Sequence, residues 1–158
     1  MTTSRAVPEG FERATPYLCV RGASDAIAFY VKAFGAVEIM RLAEPDGRIG
    51  HAEIKIGDAP IMLSDEFPEQ GVRSPATLGG SPVAIHLYVP DVDALVAHAV
   101  VAGAKLQRPV ADQFYGDRSA TLLDPFGHRW FLATHREDVP VEEMQRRYRA
   151  LLAQQPAK

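Results

Sequence analysis

The chain repeats one pattern of residues, and this internal repeat restricts its possible folds more than any other feature. Three segments recur in the same order at a spacing of 68 or 69 residues: 18–20 with 87–89, 33–36 with 101–104, and Leu63 with Leu132. Each match is short, but three matches in one order predict that a single structural unit occurs twice.

Within each copy, the hydrophobic periodicity predicts one strand, one helix and then three strands. In the first copy, strands are predicted at 15–20, 37–43, 49–56 and 60–64. In the second copy, they are predicted at 83–89, 105–111, 118–123 and 128–134.

The predicted helices follow the first strand of each copy. The first helix is expected to be capped by Ser24 and to end at Gly35, with an inner face of Ile27, Tyr30, Val31 and Phe34. The second is expected between Asp91 and Gly103, with an inner face of Val92, Leu95, Val96, Ala99 and Val100.

The remaining segments set the predicted organisation of a single domain. We expect a loose arm at 1–12, a first module at 13–66, a linker rich in Pro, Gly and Ser at 67–81, and a second module at 82–138. Residues 139–158 are expected to form a terminal helix with an apolar stripe of Val141, Met144, Tyr148, Leu151 and Leu152.

One helix covers only one face of four strands, so the other face of each sheet is predicted to stay open. Two such βαβββ modules predict an α+β fold: a curved mixed sheet around a cleft, with the helices outside and the terminal helix added. Strand alternation places Leu18, Val20, Trp130 and Leu132 under the helices. It places these side chains on the cleft: Thr15, Tyr17, Cys19, Met62, Ala84, His86, Tyr88 and Phe131.

Composition and charge exclude several classes of partner. Seventeen Lys and Arg against 20 Asp and Glu give a net charge of −3, which does not favour nucleic acid or an anionic membrane. No run of about 18 apolar residues is present, so no membrane span is expected. Residues 1–10 lack the apolar core of a signal peptide, which favours a cytoplasmic protein. The single cysteine, Cys19, excludes an internal disulfide and is interpreted as a packed thiol.

Paired βαβββ modules resemble the vicinal oxygen chelate superfamily, which contains glyoxalase I, bleomycin-resistance proteins and extradiol dioxygenases. The motifs in 51–58, 62–65, 115–118 and 124–130 are similar to the PhnB-like branch. The resemblance covers about 14–138. It implies a small-molecule ligand and a homodimer, but it does not select one reaction, because this fold supports many activities.

The resemblance also implies where a metal would bind. Metal-using members take one ligand from each of the first, fourth, fifth and eighth strands, and these positions correspond to Thr15, Met62, Ala84 and Phe131. None is a strong ligand for a divalent ion. We therefore expect the inherited metal site to be lost and no cofactor to be needed. A register shifted by two residues would place His86 in one of these positions.

A relocated site is the alternative. His51 and Glu53 point the same way on one strand, and with His86 they form an acceptable set for Zn, Fe, Ni or Mn. Alternatively, His51, Glu53 and Lys55 form the solvent-exposed side of an edge strand. Glu53 and His86 are equally candidates for a general base. His98, His128 and His135 are predicted to be surface residues.

The aromatic residues favour ligand binding in the cleft. Tyr17, Tyr88, Phe131 and the turn residues Phe114 and Tyr115 are expected to hold a planar or apolar ligand, with Arg118 as an anion contact. Three hypotheses remain: a metal-free binding protein, a metal-dependent lyase, isomerase or dioxygenase, and a metal-free enzyme acting on a carbonyl compound. The first is favoured, because all four metal positions lack ligands.

Overall fold

The repeat is present as two four-stranded sheets, each accompanied by one long helix. The structure is a computed structural model that describes residues 5–154. The first copy contains β1 Tyr17–Val20, α1 Ala23–Phe34, β2 Val37–Ala43, β3 Ile49–Ile56 and β4 Ala59–Asp65. A 3₁₀ turn and the short helix α2, Pro75–Leu78, follow. The second copy contains β5 Ala84–Tyr88, α3 Val92–Ala102, β6 Lys105–Asp112, β7 Asp117–Leu123 and β8 Arg129–His135.

The two sheets have the same topology and register. Their strand orders are β1-β4-β3-β2 and β5-β8-β7-β6, with only β1–β4 and β5–β8 parallel. Tyr17 lies opposite Met62, and His86 lies opposite Phe131, so the same pairing recurs 69 residues later (17 to 86, 62 to 131). The predicted α+β class and the predicted strand–helix–three-strand order are confirmed. The predicted start of the first strand at Thr15 is wrong, because β1 begins two residues later, at Tyr17.

The start of α1 differs from the prediction. The cap is Gly22, with a left-handed φ of 87°, and Ser24 lies inside the helix. The Asp65 carboxylate at the end of β4 accepts hydrogen bonds from the backbone N–H groups of Gly22 and Ala23, at 2.8 and 2.9 Å. In the second copy, the Thr134 hydroxyl accepts from the Val92 N–H in the same way. Each helix start is therefore fixed by the fourth strand of its own module.

The predicted linker is partly structured and is held to the first module by Glu66. This carboxylate accepts hydrogen bonds from the Thr77 hydroxyl, from the Ser74 backbone and hydroxyl, and from Arg21. These bonds lower the pKa of Glu66 to about 2. Two inner-face predictions are wrong, since Val31 and Val100 are exposed.

The two modules join at a buried carboxylate. Helices α1 and α3 pack together, and Asp124, in the turn between β7 and β8, reaches into this junction. Its Oδ2 accepts from the Tyr30 hydroxyl at 2.8 Å and from Trp130 Nε1 at 2.9 Å. Its Oδ1 accepts from the backbone N–H groups of Phe126 and His128, both at 2.9 Å. Burial and the negative charge of Asp124 raise the pKa of Tyr30 well above its usual value.

His128 provides a second link between the modules. It was predicted to be a surface residue, but it is buried, and its Nε2 donates to the Cys19 carbonyl oxygen at 3.1 Å. This acceptor lies on β1 of the first module. The sequence does not indicate the contact, because the two residues are far apart along the chain.

The terminal helix α4, Val141–Ala153, forms as predicted, but none of its residues is buried. Tyr148 stacks on Phe114 with 5.2 Å between ring centroids, and Arg147 pairs with Glu137 and Glu143. Leu151 and Leu152 remain exposed. Within residues 5–154, no helix has the length and apolar character needed to cross a membrane.

The junction predicts a specific pattern of stability. Tyr30→Phe removes a hydrogen bond to a buried carboxylate and should lower the free energy of unfolding by about 1.5–3 kcal/mol. Asp124→Ala leaves several buried donors without an acceptor and should lower it more, by about 3–5 kcal/mol. Tyr148→Phe, on an exposed ring, should change it by less than about 0.5 kcal/mol. Urea unfolding monitored by circular dichroism measures all three, and equal effects of the two Tyr→Phe changes would contradict this account.

Candidate functional site

Strand pairing determines which side chains share the face that the helices leave open. Residues directly opposite each other in paired strands point to the same side. We call this side the cleft face. In the first sheet it carries Tyr17, Cys19, His51, Glu53, Met62 and Ser64. In the second sheet it carries Ala84, His86, Tyr88, Asp117, Thr121, Arg129, Phe131, Ala133 and His135.

The first sheet carries a chain of three hydrogen-bonding side chains. The Tyr17 hydroxyl lies 3.1 Å from His51 Nδ1, and His51 Nε2 lies 3.4 Å from Glu53 Oε1. An ionised carboxylate only accepts, so Nε2 donates to Glu53, and in the neutral imidazole Nδ1 then accepts from the Tyr17 hydroxyl. His51 and Glu53 point to the same side of β3, as predicted. Tyr17, at the start of β1, contacts His51 on that side.

The second sheet carries a different cluster around Asp117, which is 4% exposed. Its carboxylate accepts from the Tyr88 hydroxyl at 2.7 Å and pairs with His135 Nδ1 at 2.8 Å. His135 Nε2 reaches Asp138 at 2.9 Å. Burial opposes ionisation of Asp117, but the hydrogen bonds from Tyr88 and His135 outweigh it and lower the pKa of Asp117.

The partners of Asp117 are shifted in the opposite direction. Donation to Asp117 is the main cause that raises the pKa of Tyr88. The bonds to Asp117 and then to Asp138 raise the pKa of His135. His135 is solvent-accessible as predicted, yet its contacts fix the end of β8 to the start of β7. Because Asp117 was not among the predicted site residues, this cluster was missed.

Aromatic side chains occupy the open face beside these clusters. Tyr17, Tyr88 and Phe131 are 52%, 58% and 38% exposed. The His86 ring lies 4.7 Å from the Tyr88 ring and 6.5 Å from the Phe131 ring. Large apolar rings that stay half exposed are candidates for contact with a ligand or a partner.

Two of the predicted site residues, Arg118 and Phe114, make their contacts away from the cleft face. Arg118 is opposite Thr134, which places it on the helix-covered face, and its guanidinium binds Asp93 of α3 at 2.7 and 2.8 Å and Asp112 at 3.1 Å. Phe114 stacks against α4 and meets Tyr115 edge to face at 5.0 Å. Arg118 therefore lies off the cleft face and Phe114 lies against α4, whereas Tyr115 is near enough to Tyr88 to contribute to its raised pKa.

The four positions where the resemblance predicts metal ligands carry side chains that do not suit a metal. The Thr15 hydroxyl contacts the Arg13 carbonyl, and Ala84 lies opposite Arg129. Thr15, Met62, Ala84 and Phe131 offer no imidazole, carboxylate or thiolate, so this set does not fit a divalent ion. His51 contacts Glu53, whereas His86 lies against Tyr88 and Phe131. Across the described part of the chain, no three His, Cys, Asp or Glu side chains group to hold a metal.

Two cavities lie beside some of these residues, one next to Tyr17 and one next to His86. One of about 680 Å³ is lined by Tyr17, Ser64, Phe67 and Arg48, beside residues 44–46. Another of about 890 Å³ lies at the ends of β1 and β5, between Thr15, His86 and Trp130. Burial, and then the nearby Glu66 and Asp65, raise the pKa of the Cys19 thiol, which disfavours its thiolate form.

The Asp117 cluster predicts a pH dependence. The pKa of His135 is raised above 6.5 in the folded chain, so its stabilising contribution is complete below about pH 6.5 and is lost as pH rises through the raised pKa. Asp117→Asn should lower the pKa of His135, as followed by the NMR signals of its ring protons. Asp93→Asn, which removes a carboxylate from the opposite face, should leave that pKa unchanged. A pKa of 6.5 or below in the unaltered protein would contradict the cluster.

Known proteins share this architecture. The family model of the Glyoxalase/Bleomycin resistance protein/Dioxygenase superfamily matches residues 11–132. The protein Mb0911c of Mycobacterium bovis is 46% identical over 134 residues, which cover 83% of this chain and 88% of that protein.

Solved structures agree with this assignment. The structure of the Arabidopsis thaliana At5g48480 gene product has a TM-score of 0.64 at 29% identity, covering 78% of this chain and 98% of that one. A PhnB protein of Bacillus cereus has a TM-score of 0.61, covering 78% and 99% of the two chains, and at 16% identity this likeness concerns the fold alone. The resemblance inferred from the paired modules is therefore confirmed, and the chain belongs to the Glyoxalase/Bleomycin resistance protein/Dioxygenase superfamily.

Proposed function

We propose that this protein is a binding protein that holds an aromatic or apolar small molecule in the cleft, without a metal ion. The observation that carries the proposal is the set of half-exposed rings of Tyr17, Tyr88 and Phe131 on the cleft face. Burying these rings against a planar ligand would remove apolar surface from water, and stacking would add to the attraction.

The polar groups around these rings support orientation of a ligand. The Tyr17 and Tyr88 hydroxyls are held by His51 and Asp117, so both rings have fixed positions before a ligand arrives. Side chains that are already ordered lose little entropy on binding. The adjoining cavities, at about 680 and 890 Å³, are in the size range of small-molecule sites.

The metal-free part of the proposal rests on donor chemistry. The four positions inferred from the resemblance carry Thr15, Met62, Ala84 and Phe131. None of these side chains is a strong ligand for a divalent ion, and the half-exposed Phe131 ring favours contact with an apolar ligand.

We also propose that the protein is a homodimer in the cytoplasm. The apolar stripe of α4, including Leu151 and Leu152, is exposed in the single chain, as are the rings of the cleft face. A second copy would cover apolar surface of this kind. The single free thiol, Cys19, fits a reducing compartment.

Binding of the fluorescent aromatic probe 8-anilinonaphthalene-1-sulfonate tests the proposed site. Phe131→Ala removes a ring worth about 1.5–3 kcal/mol on burial, so the dissociation constant of the probe should rise about tenfold or more. Val101→Ala, which shortens an exposed side chain on α3, should leave the constant unchanged. A chelator such as EDTA should leave probe binding unchanged as well.

Two results would overturn this function. Equal probe affinity in Phe131→Ala and in the unaltered protein would place the site elsewhere. Loss of probe binding in EDTA, recovered by adding Zn, Fe, Ni or Mn and absent in His51→Ala, would establish the relocated metal site instead.

Light scattering after gel filtration tests the dimer. We expect a mass of twice 17.3 kDa for the unaltered chain. Replacing both Leu151 and Leu152 by Glu should give a monomer, because charge on the stripe prevents its burial. Val101→Glu on α3 is the matched control and should remain a dimer. A monomeric unaltered chain would refute the assembly.

A further inference from the structure

We propose that Tyr17, His51 and Glu53 form a proton relay that takes the proton of an acidic hydroxyl group on an aromatic ligand and keeps that proton inside the site. The proposal rests on the proposed function, because it requires a ring to be bound against the cleft face. It adds the ligand class, a phenol, and a chemical role for three side chains.

The three side chains of the relay follow one another by hydrogen bonds, from Tyr17 through His51 to Glu53. Tyr17 is half exposed and lines the cavity of about 680 Å³, so the relay begins at this side chain. When Nε2 of a neutral His51 carries the proton, the Tyr17 hydroxyl donates to Nδ1 across 3.1 Å. Glu53 accepts from His51 Nε2 at 3.4 Å and sets the tautomer in which Nδ1 is free to accept. A base oriented by a carboxylate and bonded to a hydroxyl is the general arrangement of an activated hydroxyl.

The proton transfer balances within these groups. The ligand's O–H bond breaks and an O–H bond forms on Tyr17, while the original Tyr17 O–H bond breaks and an N–H bond forms on His51 Nδ1. The products are a phenolate ligand, a neutral Tyr17 and an imidazolium beside the Glu53 carboxylate. No oxidant, reductant or metal takes part.

The charges around the relay are compatible with this transfer. Glu44, Asp46 and Arg48 lie at the cavity, where Arg48 pairs with Asp46 and Glu69 and stacks over Phe67. Lys55 follows Glu53 on the same side of β3. Because the proton stays on His51, the total charge of the site is the same before and after transfer. The surrounding carboxylates therefore do not oppose the step as they would oppose an anion that entered from solution.

The hydrogen-bond partners of Tyr88 in the second sheet do not form an equivalent relay. The Tyr88 hydroxyl donates directly to Asp117, and the other oxygen of that carboxylate is bonded to His135. Both nitrogens of His135 already face carboxylates. Neither ring nitrogen of His135 is therefore free to accept the proton of Tyr88, and we interpret this cluster as one that fixes the Tyr88 ring.

The probe that tests the relay is 4-nitrophenol, whose phenolate absorbs at a longer wavelength than its phenol. One pH unit below its pKa, about a tenth of free 4-nitrophenol is ionised. We expect at least half of the protein-bound probe to be ionised at that pH, a fivefold increase or more. We also expect no proton release to a weakly buffered indicator solution, since the relay retains the proton.

Matched variants assign the effect to individual side chains. Tyr17→Phe and His51→Gln should return the ionised fraction of bound probe to about a tenth, with binding by equilibrium dialysis retained. Glu53→Gln keeps an acceptor without the charge and should give an intermediate fraction. Tyr148→Phe and His98→Gln make the same substitutions on exposed helix residues and should keep the full effect.

Each failure has its own meaning. Bound probe that stays protonated, or that ionises equally in Tyr17→Phe, overturns the relay and leaves the binding function standing. Release of one proton per bound probe also overturns it, since that result means phenolate is captured from solution. If dialysis shows no 4-nitrophenol bound, the ligand class is wrong, and the fluorescent probe decides separately whether the cleft binds rings at all.

Discussion

The buried carboxylate of Asp124 is the interaction on which the arrangement of the two modules depends. One of its oxygens orders the turn between β7 and β8, and the other accepts from Trp130 in the second module and from Tyr30 in the first. A buried charge is tolerated only when its hydrogen bonds are complete. The folded chain must therefore hold all of these donors around Asp124 at the same time. Tyr30 lies on α1, so its bond to Asp124 ties α1 to the second module, where α1 also packs against α3.

The two copies share a backbone but not a surface. Equivalent pairs such as Tyr17–Met62 and His86–Phe131 occupy the same register, yet their polar neighbours differ. The first sheet places the His51 ring nitrogen beside the Tyr17 hydroxyl, whereas the second places the Asp117 carboxylate beside the Tyr88 hydroxyl. The open faces of the two copies therefore differ in chemistry.

The fold was predictable to the extent that its signals are local. Periodicity and the positions of Gly35 and Gly103 located the helices, and alternation placed Trp130 in the core and Tyr17, Tyr88 and Phe131 on the open face. Predictions failed where a partner lies far along the chain. The carboxylate that accepts from the backbone N–H groups at the start of α1 belongs to Asp65, far along the chain. The buried His128 bonds to the Cys19 carbonyl oxygen in the other module. For the same reason, the ion pairs that hold Arg118 on the helix side could not be read from its neighbours in sequence.

The candidate site shows the same division. His51 and Glu53 were expected on one side of a strand because they are two residues apart, but the contact with Tyr17 depends on how β1 lies relative to β3 across β4. The Asp117–His135 pair joins two strands whose pairing is set by the whole second sheet.

Trp130 gives the chain an internal reporter. It is the single tryptophan of the sequence, it is fully buried, and its indole N–H is bonded to the carboxylate that joins the modules. Indole emission depends on the polarity and hydrogen bonding around the ring. The native fluorescence of this protein is therefore a label-free reading of whether its two halves are docked, separate from the helix content that circular dichroism records.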